Sequence, residues 1–235
     1  MMYMSEGIVM DTVFGDGSEA DEKKSFMDKM LGAGKRVLAG ESLFMTMFTN
    51  KAYDKKSLAF AAPYPGKIIA KDLGDLGGEL ICQRDAFLCA ARGIQIGIAF
   101  QKNIGAGLFG GEGFIMERLV GDGLVFMHAG GTIIEKELAP GELLKLDTGC
   151  LVAMTPTVNY NVEFVGSVTS AFFGGEGLFL ATLRGPGHVW LQSIPFSRFA
   201  NRIMAAATKG GGGGKSKGEG SLLGNIGIGD LFGRD

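Results

Sequence analysis

Three glutamates stand out by their spacing among the few residues of this chain whose side chains could do chemistry. Glu41, Glu112 and Glu176 each sit in a Gly-rich element: Ala39-Gly40-Glu41-Ser42-Leu43-Phe44, Phe109-Gly110-Gly111-Glu112-Gly113-Phe114 and Phe173-Gly174-Gly175-Glu176-Gly177-Leu178. Three carboxylates converging on one axis would make a cation site or an acid–base set. The competing reading is that each accepts backbone N–H bonds from its own glycine turn, and the repetition favours it, since active sites on repeats are usually asymmetric. Gly105-Ala106-Gly107-Leu108-Phe109-Gly110 matches G-x-G-x-x-G in letters. A dinucleotide site needs a helix next, and a β-like run follows instead, so the glycines read as turn architecture. His128 and His188 have no nucleophile or ligand set beside them, and Cys82, Cys89 and Cys150 lie in apolar runs where Cys packs as a small hydrophobe. Cys82 and Cys89 are expected on opposite faces of one strand, and Trp190 in the core. No catalytic, metal or cofactor residue is assigned.

The elements that would carry these residues repeat. The Gly-Gly-Glu-Gly element recurs after 64 residues, and Leu119-Val120-Gly121-Asp122-Gly123 answers to Leu183-Arg184-Gly185-Pro186-Gly187. Val125-Phe126-Met127 falls on Val189-Trp190-Leu191, and Gly78-Glu79-Leu80-Ile81 on Gly141-Glu142-Leu143-Leu144 with an offset of 63. Ile94, Ile96, Ile98 and Phe100 alternate with smaller or polar residues, as do Val158, Tyr160, Val162 and Phe164, and Ile8, Met10, Thr12 and Phe14 fit the same slot. Period-two patterning marks half-buried strands. Gly-Asp-Gly and Gly-Pro-Gly are expected as hairpin turns. Met1 falls opposite Phe87, so the first copy is expected to lack its leading strands. Residues 20–38 read as a short inserted helix. Phe196, Phe199, Ile203 and Ala207 recur at helical spacing and predict a terminal helix, 196–208, packed on the β body.

Composition agrees with β structure. The 235 residues include 40 glycines, with 46% hydrophobic and 20% charged. Interior glycine costs a helix about 1 kcal/mol each, which argues against a helical bundle. A net charge of −2 gives no footprint for a nucleic-acid backbone, so nucleic acid is disfavoured as a partner. Three cysteines without a C-x-x-C pair indicate reduced thiols and a cytoplasmic setting. The acidic N-terminus does not read as a signal peptide, and no stretch reaches the roughly 18 apolar residues of a membrane span.

Four motifs together carry a family likeness: Ala39-Gly40-Glu41-Ser42-Leu43-Phe44, Gly78-Glu79-Leu80-Ile81-Cys82-Gln83, Gly105 through Gly113, and Gly187-His188-Val189-Trp190-Leu191-Gln192-Ser193. Through them, residues 1 to about 203 resemble the family of altered inheritance of mitochondria protein 24, whose prokaryotic members are mostly of unknown function. The resemblance implies a fold like the trp RNA-binding attenuation protein and assembly as a trimer, and it supplies no catalytic residues. The expected fold is all-β: three tandem β-modules resembling a short double-stranded β-helix in a barrel-like body, with an inserted and a C-terminal helix. The modules are expected at about 1–75, 76–139 and 140–195, within one domain, 1–208, followed by a flexible Gly-rich tail, 209–235. The expected function is a non-enzymatic, homo-oligomeric scaffold with an unidentified protein partner and no cofactor. The alternative is a small-molecule- or RNA-binding module on an attenuation-protein-like ring.

Overall fold

Val158, Tyr160 and Val162 alternate with Asn159, Asn161 and Glu163, and the chain there is extended with the apolar set turned inward and the polar set exposed. A computed structural model describes residues 1–14, 44–102, 114–164 and 179–210 and consists mostly of β-strands. The inserted helix at 20–38, the Gly-rich elements at 105–113 and 173–177, and the tail from 211 on lie outside the described residues. The strands are β1 (Tyr3–Met4), β2 (Ile8–Phe14), β3 (Phe44–Asn50), β4 (Leu58–Ala59), β5 (Gly66–Asp72), β6 (Glu79–Gln83), β7 (Phe87–Ala90) and β8 (Gln95–Lys102). They continue as β9 (Phe114–Val120), β10 (Leu124–Gly130), β11 (Ile133–Leu138), β12 (Leu143–Asp147), β13 (Leu151–Met154), β14 (Asn159–Phe164), β15 (Phe179–Arg184) and β16 (Gly187–Gln192). One helix, α1 (Phe196–Gly210), ends the described chain. No described helix is long and apolar enough to cross a membrane.

The strands form sheets ordered β5-β10-β7, β11-β16-β13-β6-β9-β8 and β12-β15-β14, with the pairs β2-β3 and β1-β4. All pairings are antiparallel, and none closes a sheet on itself among the described residues, so the barrel-like body is not what forms. The central strands of the six-stranded sheet, β16, β13, β6 and β9, are largely buried on both faces. Cys82, Ala153 and Trp190 turn into one core with Leu80, Leu119 and Val125. Their chain neighbours Ile81, Met154 and Val189 turn into a second core with Met116 and Leu183. Burial on both faces explains why β6, β13 and β16 read as unbroken apolar runs.

Several expectations change in the folded chain. Gly121-Asp122-Gly123 and Gly185-Pro186-Gly187 are not hairpin turns, because β9 and β10, like β15 and β16, pair with other strands; the glycines turn corners from one sheet into another. Cys82 and Cys89 belong to different strands, β6 and β7, separated by a 3-10 turn at Arg84–Ala86. The offset of 63 for the Gly-Glu-Leu element becomes 64: Leu80 lies opposite Leu119 and Leu144 opposite Leu183, so Leu144 takes the place of Leu80. A one-residue slip exchanges the faces of a strand, and burial agrees, with Leu143 exposed and Leu144 packed on the second core. In β8 the alternation breaks at a bulge between Ile98 and Phe100, leaving Ile98 partly exposed. Strand β2 is not half-buried as expected, since Val9 and Met10 are both exposed. Helix α1 forms, and its apolar face is half-buried at Phe199 but more than half exposed at Phe196, Ile203 and Met204, so it packs on the body less closely than expected.

Gly187 gives the sharpest backbone test. Its φ is +144°, and a Cβ there would collide with Thr155 Oγ1, Thr157 Oγ1 and Val158. Gly141 has φ +80° but open space around it. Chemical denaturation should show Gly141→Ala losing about 1–2 kcal/mol, the usual left-handed penalty, and Gly187→Ala losing clearly more; equal losses would contradict the packing described.

Candidate functional site

Glu41, Glu112 and Glu176 lie outside the described residues, as does the G-x-G-x-x-G stretch. Among the described residues no group of three or more His, Cys, Asp or Glu side chains could hold a metal. His128 and His188 lie on β10 and β16, in separate clusters. Burial pushes the Cys82 thiol well above its ordinary range, aided by the charge of Glu117, and burial raises Cys89 as well. Both thiols are therefore held in the protonated, weakly nucleophilic form.

The first cluster closes over Trp190, which is 1% exposed. Lys71 on β5 places its Nζ 4.7 Å from the centre of the indole ring and 3.2 Å from Glu135 Oε2 on β11. The His188 ring lies near-parallel to the indole at a centroid distance of 6.2 Å. Glu135 lies directly opposite Trp190 in the β11–β16 ladder, which brings carboxylate and indole together. Burial alone would raise the Glu135 carboxyl. The nearby indole N–H, though without a hydrogen bond of normal geometry, and the Lys71 ammonium outweigh it and hold the acid below its usual range. The arrangement is a cation–π and ion-pair lid across two sheets. The lone Trp at a repeat position held by Phe126 was one trace in the sequence; the 64-residue offset between Lys71 and Glu135 was another, unread because the two meet from different sheets.

The second cluster sits at the root of α1. His128 is 1% exposed, and neither ring nitrogen has a hydrogen-bond partner of normal geometry. The Tyr64 ring meets it edge-on at 4.2 Å, and Phe196 lies 5.1 Å beyond Tyr64. Burial pushes the imidazole below its ordinary value, only partly opposed by the Tyr64 backbone. The residue 64 positions later, Gln192, solves the same burial with two bonds: its Oε1 accepts from Gly130 N–H at 2.8 Å, and its Nε2 donates to the Gly149 carbonyl at 2.8 Å. Beside it, Asp147 accepts from Gly149 N–H at 2.8 Å through Oδ1 and from Arg198 at 2.9 Å through Oδ2, which ties the first turn of α1 to the body. Neither cluster presents a nucleophile with its base; both read as joints between sheets and helix.

Fold and joints together define a multi-sheet, antiparallel β protein whose sheets are stapled by buried aromatic and polar side chains. Residues 1–194 match the family model described as Mitochondrial biogenesis AIM24, and the chain belongs to that family. An uncharacterized protein of Streptococcus pyogenes serotype M6 is 30% identical over 206 residues, covering 86% of this chain and 77% of its own. A crystal structure of a Streptococcus pyogenes protein, solved as a structural-genomics target, matches with a TM-score of 0.66 at 23% identity, covering 88% of this chain and 85% of that one.

Each joint has its own pH signature. A His whose folded pKa is depressed leaves stability intact above its unfolded value near 6.5 and removes it as pH falls toward the folded value, at up to about 1.4 kcal/mol per pH unit. Thermal unfolding should therefore be flat from pH 8 to 7 and weaken below about 6.5, and His128→Gln should flatten that window; an unchanged slope in the variant would contradict the assignment. A depressed carboxyl acts in the same sense in a more acidic window, with its contribution present above the unfolded value and lost as pH falls through the folded one. Trp190 is the single tryptophan of the chain. Its emission should stay constant through the ordinary carboxylate range and change only below it, and Lys71→Met should move that change to higher pH; an identical titration in the variant would exclude Lys71 as the cause.

Proposed function

We propose that the chain is a non-enzymatic scaffold that acts as a homo-oligomer, with a trimer as the expected form, and that it is built of three tandem β-modules in the manner of the attenuation-protein fold. The observation that carries the oligomer is the set of large apolar side chains left on strand surfaces. Tyr3, Met10, Ile68, Ile134 and Leu143 are each between 45% and 55% exposed, on strands that could have carried polar residues there. Apolar patches of this kind mark interaction surfaces.

Three backbone bonds of one kind support the modular reading. Ser5 N–H donates to the Ser57 carbonyl at 2.9 Å, Ala91 N–H to Leu124 at 2.8 Å and Thr155 N–H to His188 at 3.0 Å. Each follows a short strand, β1, β7 or β13, at the point where it leaves its partner strand. The scaffold reading is preferred over binding of RNA or a small molecule because the one tryptophan is closed in and its neighbouring cation is already engaged. Light scattering of the purified protein should give three times the 24.7 kDa chain mass with a protein-like absorbance ratio. A stable monomer would overturn the oligomer, and co-purified nucleic acid would favour the RNA-binding reading.

A further inference from the structure

Resting on the oligomeric reading above, we propose where the copies join: β12 of one chain takes β1 of a second copy as its next strand, repeating the pairing that β13 makes with β6 inside the chain.

The internal junction supplies the template. Strand β13 pairs β6 with Ala153 opposite Cys82 and Met154 opposite Ile81. Strand β12 holds the place of β6. Against β9, Cys82 faces Glu117 and Ile81 faces Arg118; against β15, Leu146 faces Ala181 and Lys145 faces Thr182, each 64 residues on. Yet β6 has a strand on both sides, whereas β12 pairs only with β15 among the described residues. The Gly121 N–H donates to the Gly78 carbonyl at 3.0 Å, and the Gly185 N–H to the Glu142 carbonyl at 3.0 Å. Backbone groups alternate sides along an antiparallel strand. Ile81 therefore turns its N–H and C=O to β13, and Lys145 turns its own to the open side of β12.

Strand β1 holds the place of β13. The bonds from Ser5 and Thr155 fix the correspondence, so Tyr3 stands for Ala153 and Met4 for Met154, the two residues that make the junction. Strand β1 has β4 on one side and no described strand on the other. Met1, Met2, Tyr3 and Met4 are all at least 40% exposed, an apolar run on an open edge of the kind that recruits another strand. Among the described residues of one chain β1 and β12 do not pair, and each offers the edge the other lacks, which a second copy supplies. The joined pairs are Tyr3 opposite Leu146 and Met4 opposite Lys145, a head-to-tail contact that closes into a ring.

Tyr3 and Leu146 form the non-hydrogen-bonded pair, whose short Cα separation suits a disulfide. Mixing Tyr3→Cys with Leu146→Cys under mild oxidation should give a covalent dimer that neither variant forms alone. A disulfide in Leu146→Cys by itself overturns the proposal: lost with Cys89→Ser, it assigns the edge to β7, and retained, it pairs two β12 strands. A bridge formed within one chain of the double variant also overturns it. Lys145→Pro removes only an outward N–H, which edge strands tolerate. It should reduce the wild-type oligomer to monomer by light scattering with unchanged far-ultraviolet circular dichroism. An unchanged oligomer overturns this junction and leaves the oligomeric reading standing, whereas a monomeric wild type removes that reading itself.

Discussion

The pairing of β13 with β6 is the contact on which the rest of the structure depends. It joins β11-β16-β13, from residues 133–192, to β6-β9-β8, from residues 79–120. Only two residue pairs make it, Ala153 with Cys82 and Met154 with Ile81, but side chains alternate across a strand, so each pair feeds both cores. On one face the small Cys82 and Ala153 leave room for Trp190, and on the other Ile81 and Met154 fill toward Met116 and Leu183. Opening this seam would expose both cores at once. At about 25 cal/mol per Å² of apolar surface, that is a far larger loss than removing any single contact. The same burial accounts for the protonated Cys82 thiol, which serves as a small apolar wedge.

Polar groups at the margins of the seam show how like positions diverge. Gln192 and His128 occupy corresponding places on β16 and β10, and both are buried. Gln192 satisfies its amide against Gly130 and Gly149 and so locks strand to turn. His128 packs against Tyr64 without a hydrogen bond of normal geometry, which leaves its corner cheaper to open. An unsatisfied buried polar group costs about 1–3 kcal/mol, so the two corners differ in strength although their backbones are alike. The weaker corner is the one from which Tyr64 reaches toward α1.

Sequence patterning made the all-β class and the terminal helix legible. Glycine spacing and strict alternation, as in Val158 to Val162, reflect local rules that hold without knowledge of partners. What it hid was pairing. Gly-Asp-Gly between two strands looks like a hairpin turn whether the strands pair with each other or part into different sheets. Gly-Glu-Leu aligned its letters at 63 because Gly141 resembles Gly78, while the ladder placed Leu144 in the slot of Leu80. Lys71 and Glu135 stand one 64-residue repeat apart, but nothing in that spacing joins them to Trp190, because the three come from three strands and meet only after folding. The apolar spacing of α1 made the helix itself legible, but Ile203 and Met204 on that face are more than half exposed. The three glutamates that first drew attention lie outside the described residues.

Among the described residues the sheets leave open edges and exposed apolar strands, the kind of surface that recruits a further strand. The account's central claim is that continuation uses the internal seam's own geometry. Site-resolved amide hydrogen exchange on the wild-type oligomer tests it most directly. The account predicts slow exchange at Lys145 and Met4, comparable to Ile81 and Met154 in the seam, with Lys145 and Met4 becoming fast on dilution to monomer while the seam stays protected. Fast exchange at Lys145 and Met4 in an intact oligomer would contradict it.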